Sequence, residues 1–174
     1  MRIVKIYLLT ILLTLCFIII SVWSEGTKTE YRFSGKEMIY DKKTGITILK
    51  GNAKVIKNST DPNSANDHIY ADQINVYKDV KTDELIKMEA IGNVDMKEGD
   101  LLANCAHAIL YEAEDRIEME GSPAKVDDGK NKIEAPSIIY YRTDQRLEAK
   151  GEVSGIITIE EKKEKAEEES KDKE

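Results

Sequence analysis

An all-β fold is what this sequence predicts, on three observations. A short segment of alternating apolar residues recurs four times, each recurrence is followed by a second alternating segment that closes on glycine, and no capped amphipathic helix interrupts them. The recurring segments are Gly35-Lys36-Glu37-Met38-Ile39-Tyr40, Ala71-Asp72-Gln73-Ile74-Asn75-Val76, Ala103-Asn104-Cys105-Ala106-His107-Ala108 and Ala135-Pro136-Ser137-Ile138-Ile139-Tyr140. Each opens on a small residue and sets an apolar or small side chain three and five positions later: Met38/Tyr40, Ile74/Val76, Ala106/Ala108 and Ile138/Tyr140. A spacing of two places both members of a pair on one face of a strand.

After a polar turn, the partner segments end at Gly51, Gly92, Gly121 and Gly151. Four and two residues before these glycines stand Thr47/Leu49, Met88/Ala90, Ile117/Met119 and Leu147/Ala149, while Lys50, Lys87, Glu89, Glu118, Glu120, Glu148 and Lys150 fill interleaved positions. One face is therefore apolar and the other charged. Beyond the glycine the alternation resumes in Ala53/Val55, Val94/Met96 and, after a one-residue slip at Pro123, Ala124/Val126. A glycine at the same place in every repeat of a strand-rich chain predicts a bulge or corner. With Leu110 and Val153 added, these positions form one apolar stripe; its Met residues and the alanines at 90, 106, 108 and 149 make it adaptable and leave room. Turns are expected at Lys43-Thr44-Gly45, Glu98-Gly99-Asp100 and Asp127-Asp128-Gly129-Lys130, and a polar loop from Lys57 to Asp67.

A chain of 174 residues suits a single core-bearing domain. Arg2 and Lys5 precede an apolar run from Ile6 to Trp23, the signature of export. Cleavage after Ser24, retention as a membrane anchor and lipidation at Cys16 all remain open. The organisation is thus 1–24 signal peptide or anchor, 25–34 lead-in, 35–159 a β-domain of four repeats, and 160–174 a charged, solvated or disordered tail. A net charge of -7 argues against nucleic acid as a partner. Once the leader is removed Cys105 is the sole cysteine, so stability rests on pairing and burial rather than a disulfide. His68 and His107 lie on different repeats without metal-ligand spacing, and neither a carboxylate pair nor a nucleophile motif stands out. No enzyme, cofactor or metal is expected.

The phased copies Gly51-Asn52-Ala53-Lys54-Val55 and Gly92-Asn93-Val94-Asp95-Met96, with a weaker copy at Gly151-Glu152-Val153 and a departure at Gly121-Ser122-Pro123, resemble the OstA-like domain of the lipopolysaccharide-transport (LptA/OstA-like) family. The resemblance covers roughly residues 35 to 157. It implies an open β-jelly-roll of antiparallel strands in two opposed sheets, a periplasmic carrier that holds acyl chains of lipopolysaccharide or a related glycolipid, and stacking head to tail with itself between LptC-like inner-membrane and LptD-like outer-membrane proteins. On that reading the lipid-binding residues are Met38, Tyr40, Leu49, Val55, Ile74, Val76, Met88, Val94, Met96, Leu110, Ile117, Met119, Val126, Ile138, Tyr140, Leu147 and Val153. The residues alone admit a plainer account, since any half-buried sheet has an apolar stripe that is simply its core. Two alternatives therefore stand beside the carrier: an LptC-like subunit anchored in the inner membrane and facing the periplasm, and a structural self-assembling β-protein without lipid cargo.

Overall fold

In the computed structural model, which describes residues 30–58 and 67–159, the alternating segments form ten strands. They are β1 (Glu30–Ser34), β2 (Glu37–Asp41), β3 (Ile46–Asn58), β4 (His68–Lys78), β5 (Leu85–Glu98), β6 (Leu101–Tyr111), β7 (Arg116–Asp127), β8 (Lys132–Tyr141), β9 (Arg146–Lys150) and β10 (Ser154–Ile156). Every pairing is antiparallel, in the order β1-β3-β4-β5-β6-β7-β8-β10, with β2 also on β3 and β9 also on β8. The segments before and after each glycine are not separate strands. They are two halves of one long strand that bends at the glycine, so the expected pair of opposed sheets is one hydrogen-bonded sheet folded along a line of corners.

Each strand pairing from β3 to β8 shifts register at that line, between Lys50 and Ala53, Tyr70 and Gln73, Ile91 and Val94, Asn104 and His107, and Glu120 and Ala124. At the second corner Gly92 has φ 76° and Asn93 φ 48°, a left-handed pair that only glycine and asparagine enter readily. The first corner repeats this with Gly51 and Asn52. The opposing strand supplies a small residue followed by a polar one: Ala71 is buried at the bend, and Asp72 lies over Gly92 and accepts a hydrogen bond from Asn93 Nδ2 at 2.8 Å. The third corner departs in structure as it does in sequence, with a cis Ser122-Pro123 peptide in place of the glycine-asparagine pair.

The sheet starts at Glu30, inside the lead-in, where β1 pairs with the outer half of β3. One half-sheet holds β2, β9 and the parts of β3 to β8 that precede the odd-strand glycines or follow the even-strand corners; the other holds β1, β10 and the remaining parts. A single core of buried side chains drawn from both halves fills the fold between them. The leader at 1–24 and the tail at 160–174 lie outside the described residues.

Three expectations need correction. Ala106 is exposed, because β6 changes phase at its corner: Ala103 faces inward, and Ala108 and Leu110 resume the inner face three residues beyond Cys105. Val153 is not in a strand; it lies between β9 and β10 and is exposed. The polar loop is shorter than Lys57 to Asp67, since Lys57 belongs to β3 and Asp67 is buried, accepting the Gly99 backbone N–H at 2.8 Å.

Candidate functional site

Cross-strand register lines the inner face into continuous rows. Met38, Leu49, Ile74, Ala90, Ala108, Met119, Ile138 and Ala149 are successive partners from β2 to β9. A second row in the same half-sheet runs Tyr40, Thr47, Val76, Met88, Leu110, Ile117, Tyr140 and Leu147. Facing these, the other half-sheet carries Phe33, Val55, Ile69, Met96, Ala103, Val126 and Ile133. Almost every expected stripe residue thus lies on one continuous inner surface, Val94 included, which is buried beside the second corner.

Accessibility divides that surface in two. Ile74, Ile117, Met119 and Ile138 are 0% exposed, so in the middle of the sheet the stripe is a packed core. Towards the N-terminal edge the half-sheets part. Met38, Tyr40 and Phe33 are 49%, 59% and 53% exposed although they occupy inward positions, because β1 and β2 have a neighbour on one side only. Between them opens a groove of about 1130 Å³, whose apolar walls include Tyr31, Phe33 and Val55 on one side and Met38, Tyr40, Val76, Leu85 and Met88 on the other. Its rim carries Glu30, Lys78, Asp83, Glu84 and Glu112. The volume exceeds the ~300–1,000 Å³ of ordinary small-ligand pockets. Past Val55 and Met88 the space contracts to a cavity of about 20 Å³, room for roughly one water.

At that contraction the free ends of the two half-sheets meet in a cluster of charges. Arg142, just after β8, has Nη2 3.1 Å from Glu112, Nε 2.9 Å from Asp115 and Nη1 3.7 Å from Glu98 at the end of β5. Lys57 approaches Asp67 at 4.0 Å. Burial pushes the Glu98 carboxyl above the usual carboxylate range, with Lys57 acting against it. Burial disfavours the Arg142 charge, but Glu112, Glu98 and Asp115 more than offset this and hold the guanidinium ionised. The Tyr31 hydroxyl is likewise pushed up, by burial first and then by Glu112.

The histidines sit on the outer face in polar pairings: His107 Nε2 lies 3.2 Å from Glu89, and His68 stacks on Tyr70 with Nε2 3.4 Å from Asp95. Glu89 also accepts from Asn75 and Tyr77; those hydrogen bonds, led by Asn75, hold its carboxyl low. The outer rim of the larger row alternates tyrosine and cation: Lys87 over Tyr77, Arg116 over Tyr111 and Arg146 over Tyr141, at 4.5, 4.5 and 4.0 Å from the ring centres. These contacts lie on the outer face and do not line the groove.

Cys105 packs against the core, and burial pushes its thiol up to about 11. In a Cys16→Ser chain at pH 8, Ellman's reagent is expected to label Cys105 on the order of a hundredfold more slowly than a free thiol, with full reactivity restored in guanidinium. Ordinary labelling of the native protein would show that β6 opens at its corner.

Sequence reasoning missed Tyr31, Phe33, Ile69 and Leu101 on the inner face, though the first two alternate visibly just ahead of Gly35. The charged cluster had no local signature, being assembled from five separate stretches of chain.

Residues 63–146 match the family model described as LptA/(LptD N-terminal domain) LPS transport protein. Among solved structures, the fold is similar to that of LptH from Pseudomonas aeruginosa, described as the LptA homologous periplasmic component of a conserved lipopolysaccharide transport device. The superposition has a TM-score of 0.60 at 16% identity and covers 75% of this chain and 96% of that one. No curated protein sequence matches the chain.

Proposed function

We propose that this chain is an LptA/OstA-like lipopolysaccharide-transport protein, a periplasmic carrier which holds acyl chains of lipopolysaccharide, or of a related glycolipid, between its half-sheets. The observation that carries the proposal is the groove at the N-terminal edge, where inward-facing Phe33, Met38 and Tyr40 stand exposed in a volume of about 1130 Å³ that leads into the buried stripe. Each acyl methylene removed from water there contributes ~0.8 kcal/mol, so affinity needs no polar recognition along the chains. The acidic and lysine rim leaves a polar head in water.

The two ends of the sheet support head-to-tail assembly in the same reading. Among the described residues, β2 and β1 at one end and β9 and β10 at the other present free edges. The C-terminal end adds exposed Val153, Ile156, Ile157 and Ile159, an apolar strip suited to another copy or to LptC-like and LptD-like partners of related fold.

A photo-crosslinking side chain at Met38 or Tyr40 is expected to capture lipopolysaccharide in cells, whereas one at Ile39 or Ile48, a single residue away on the outer face, captures at least roughly tenfold less. At Ile117 or Ile138, filled by neighbours in this structure, the yield is expected to fall between. Equal labelling of both faces, or none at the groove in a folded protein, would remove the carrier and leave a structural β-protein.

A further inference from the structure

The groove and the packed core belong to one inner surface, so something must set where one ends. Val55 and Met88 line both the open groove and the small cavity beyond it, and that cavity is walled by Lys57, Asp67, Glu98 and Arg142. The charged cluster therefore stands where the space between the half-sheets contracts from about 1130 to about 20 Å³.

We propose that the Arg142–Glu98 ion pair is a latch between the free ends of the two half-sheets, which fixes how far along the sheet the interior stands open to acyl chains. This rests on the carrier reading for the identity of the occupant.

The geometry of Arg142 carries the argument. It is anchored on its own half-sheet, by Glu112 at 3.1 Å, by Asp115 at 2.9 Å, and through its backbone N–H to the Asp115 carbonyl at 2.9 Å. Across the lip it reaches Glu98 at 3.7 Å, the longest of its contacts. Glu98 is in turn fixed to the other half-sheet at the end of β5, beside the turn whose Gly99 N–H is held by Asp67. Pulling the half-sheets apart would thus break the pair and leave each partner on its own side. Arg142 keeps two carboxylates, and Glu98 keeps Lys57 nearby, so the separated state is not an uncompensated pair of buried charges.

What lies directly beneath is fitted to opening. The rows between β5 and β6 pair Ala90 with Ala108, Met96 with Ala103, and Met88 with Leu110. Small alanines and unbranched methionines can make way for a lipid tail with less lost packing than the branched Ile117 and Ile138 on β7 and β8. The seam under the latch is the part of the core most easily replaced by a ligand.

The test is a distance measurement on the full chain with Cys16→Ser and Cys105→Ala, carrying spin labels at Asp100→Cys and Asp144→Cys, exposed turn positions on opposite half-sheets. Pulsed EPR is expected to give one narrow distance for the unmodified latch. Glu98→Gln should raise a longer-distance population on the order of tenfold, as expected when a partly desolvated pair loses one charge. Glu134→Gln, which removes an exposed ion pair with Lys125 within one half-sheet and away from Arg142, should leave the distribution unchanged. If Glu98→Gln does not fold by circular dichroism, Glu98→Asp, too short to span the lip, serves with the same expectation. Identical distributions for the Glu98 variant and the parent overturn the latch. Uptake of cis-parinaric acid, followed by fluorescence in the same samples, is expected to rise several-fold with the opened latch. A shifted distance with no probe bound to any variant would keep the latch and sink the lipid reading, and probe binding with an unmoved distance would do the reverse.

Discussion

Ile117→Asp is expected to abolish cooperative folding at neutral pH. Ile117 is 0% exposed, on the inner row between Leu110 and Tyr140. A carboxylate there must be protonated, which at pH 7 costs about 4 kcal/mol for a group whose ordinary pKa is near 4. Losing the buried isoleucine removes about 2–3 kcal/mol more. The sum of about 6–7 kcal/mol matches or exceeds the whole stability of many domains of this size, ~5–15 kcal/mol. Glu118→Ala, one residue along and half-exposed on the outer face beside Arg116, should change stability by about 1 kcal/mol or less. Urea titration followed by circular dichroism reads both. An Ile117→Asp protein as stable as the Glu118→Ala one would mean that the inner face is wet at β7, and that the core assigned here is an open channel along its length.

How much of this was legible in the sequence follows from what alternation can and cannot record. The period of two and the recurring glycine were enough for the strands, their inner faces and the corners, because a one-residue error would have put Lys87 or Glu118 among the side chains that now pack around Met88 and Ile117. Two features had no such marker. The change of phase on β6 hides in the run Cys105-Ala106-His107-Ala108, where two alanines match either face and plain alternation sets Ala106 inward. Exposure depends on neighbours as well as pattern: Met38/Tyr40 and Ile74/Val76 read alike, yet Ile74 has strands on both sides and Met38 has one. The latch is harder still, since Lys57, Asp67, Glu98, Arg142 and their partners come from separate turns, and each alone looks like an ordinary charged residue at a strand end.

Gly92→Ala should destabilise the fold by about 2–3 kcal/mol, through two separable causes. Gly92 has φ 76°, a conformation that costs an alanine roughly 1–2 kcal/mol. Its new Cβ would also lie 2.4 Å from Asp72 Oδ2, forcing that carboxylate aside and with it the hydrogen bond from Asn93, a further ~1 kcal/mol. Gly99→Ala isolates the first cause, because Gly99 has φ 59° with nothing within 4 Å of the added carbon. Asp72→Ala by itself removes the Asn93 hydrogen bond without any clash, so the cost of adding Gly92→Ala to an Asp72→Ala background should fall back towards that of Gly99→Ala alone. Urea midpoints of the four variants decide it: if Gly92→Ala costs no more than Gly99→Ala, the Asp72–Asn93 contact does not hold the corner. The corner matters beyond stability, because the bend there sets the angle at which the half-sheets diverge. A corner loosened at Gly92 sits on β5, the strand that carries Glu98 at its far end, so the same variant should also broaden the spin-label distance across the lip, while Gly99→Ala, outside the corner line, should broaden it less for an equal loss of stability.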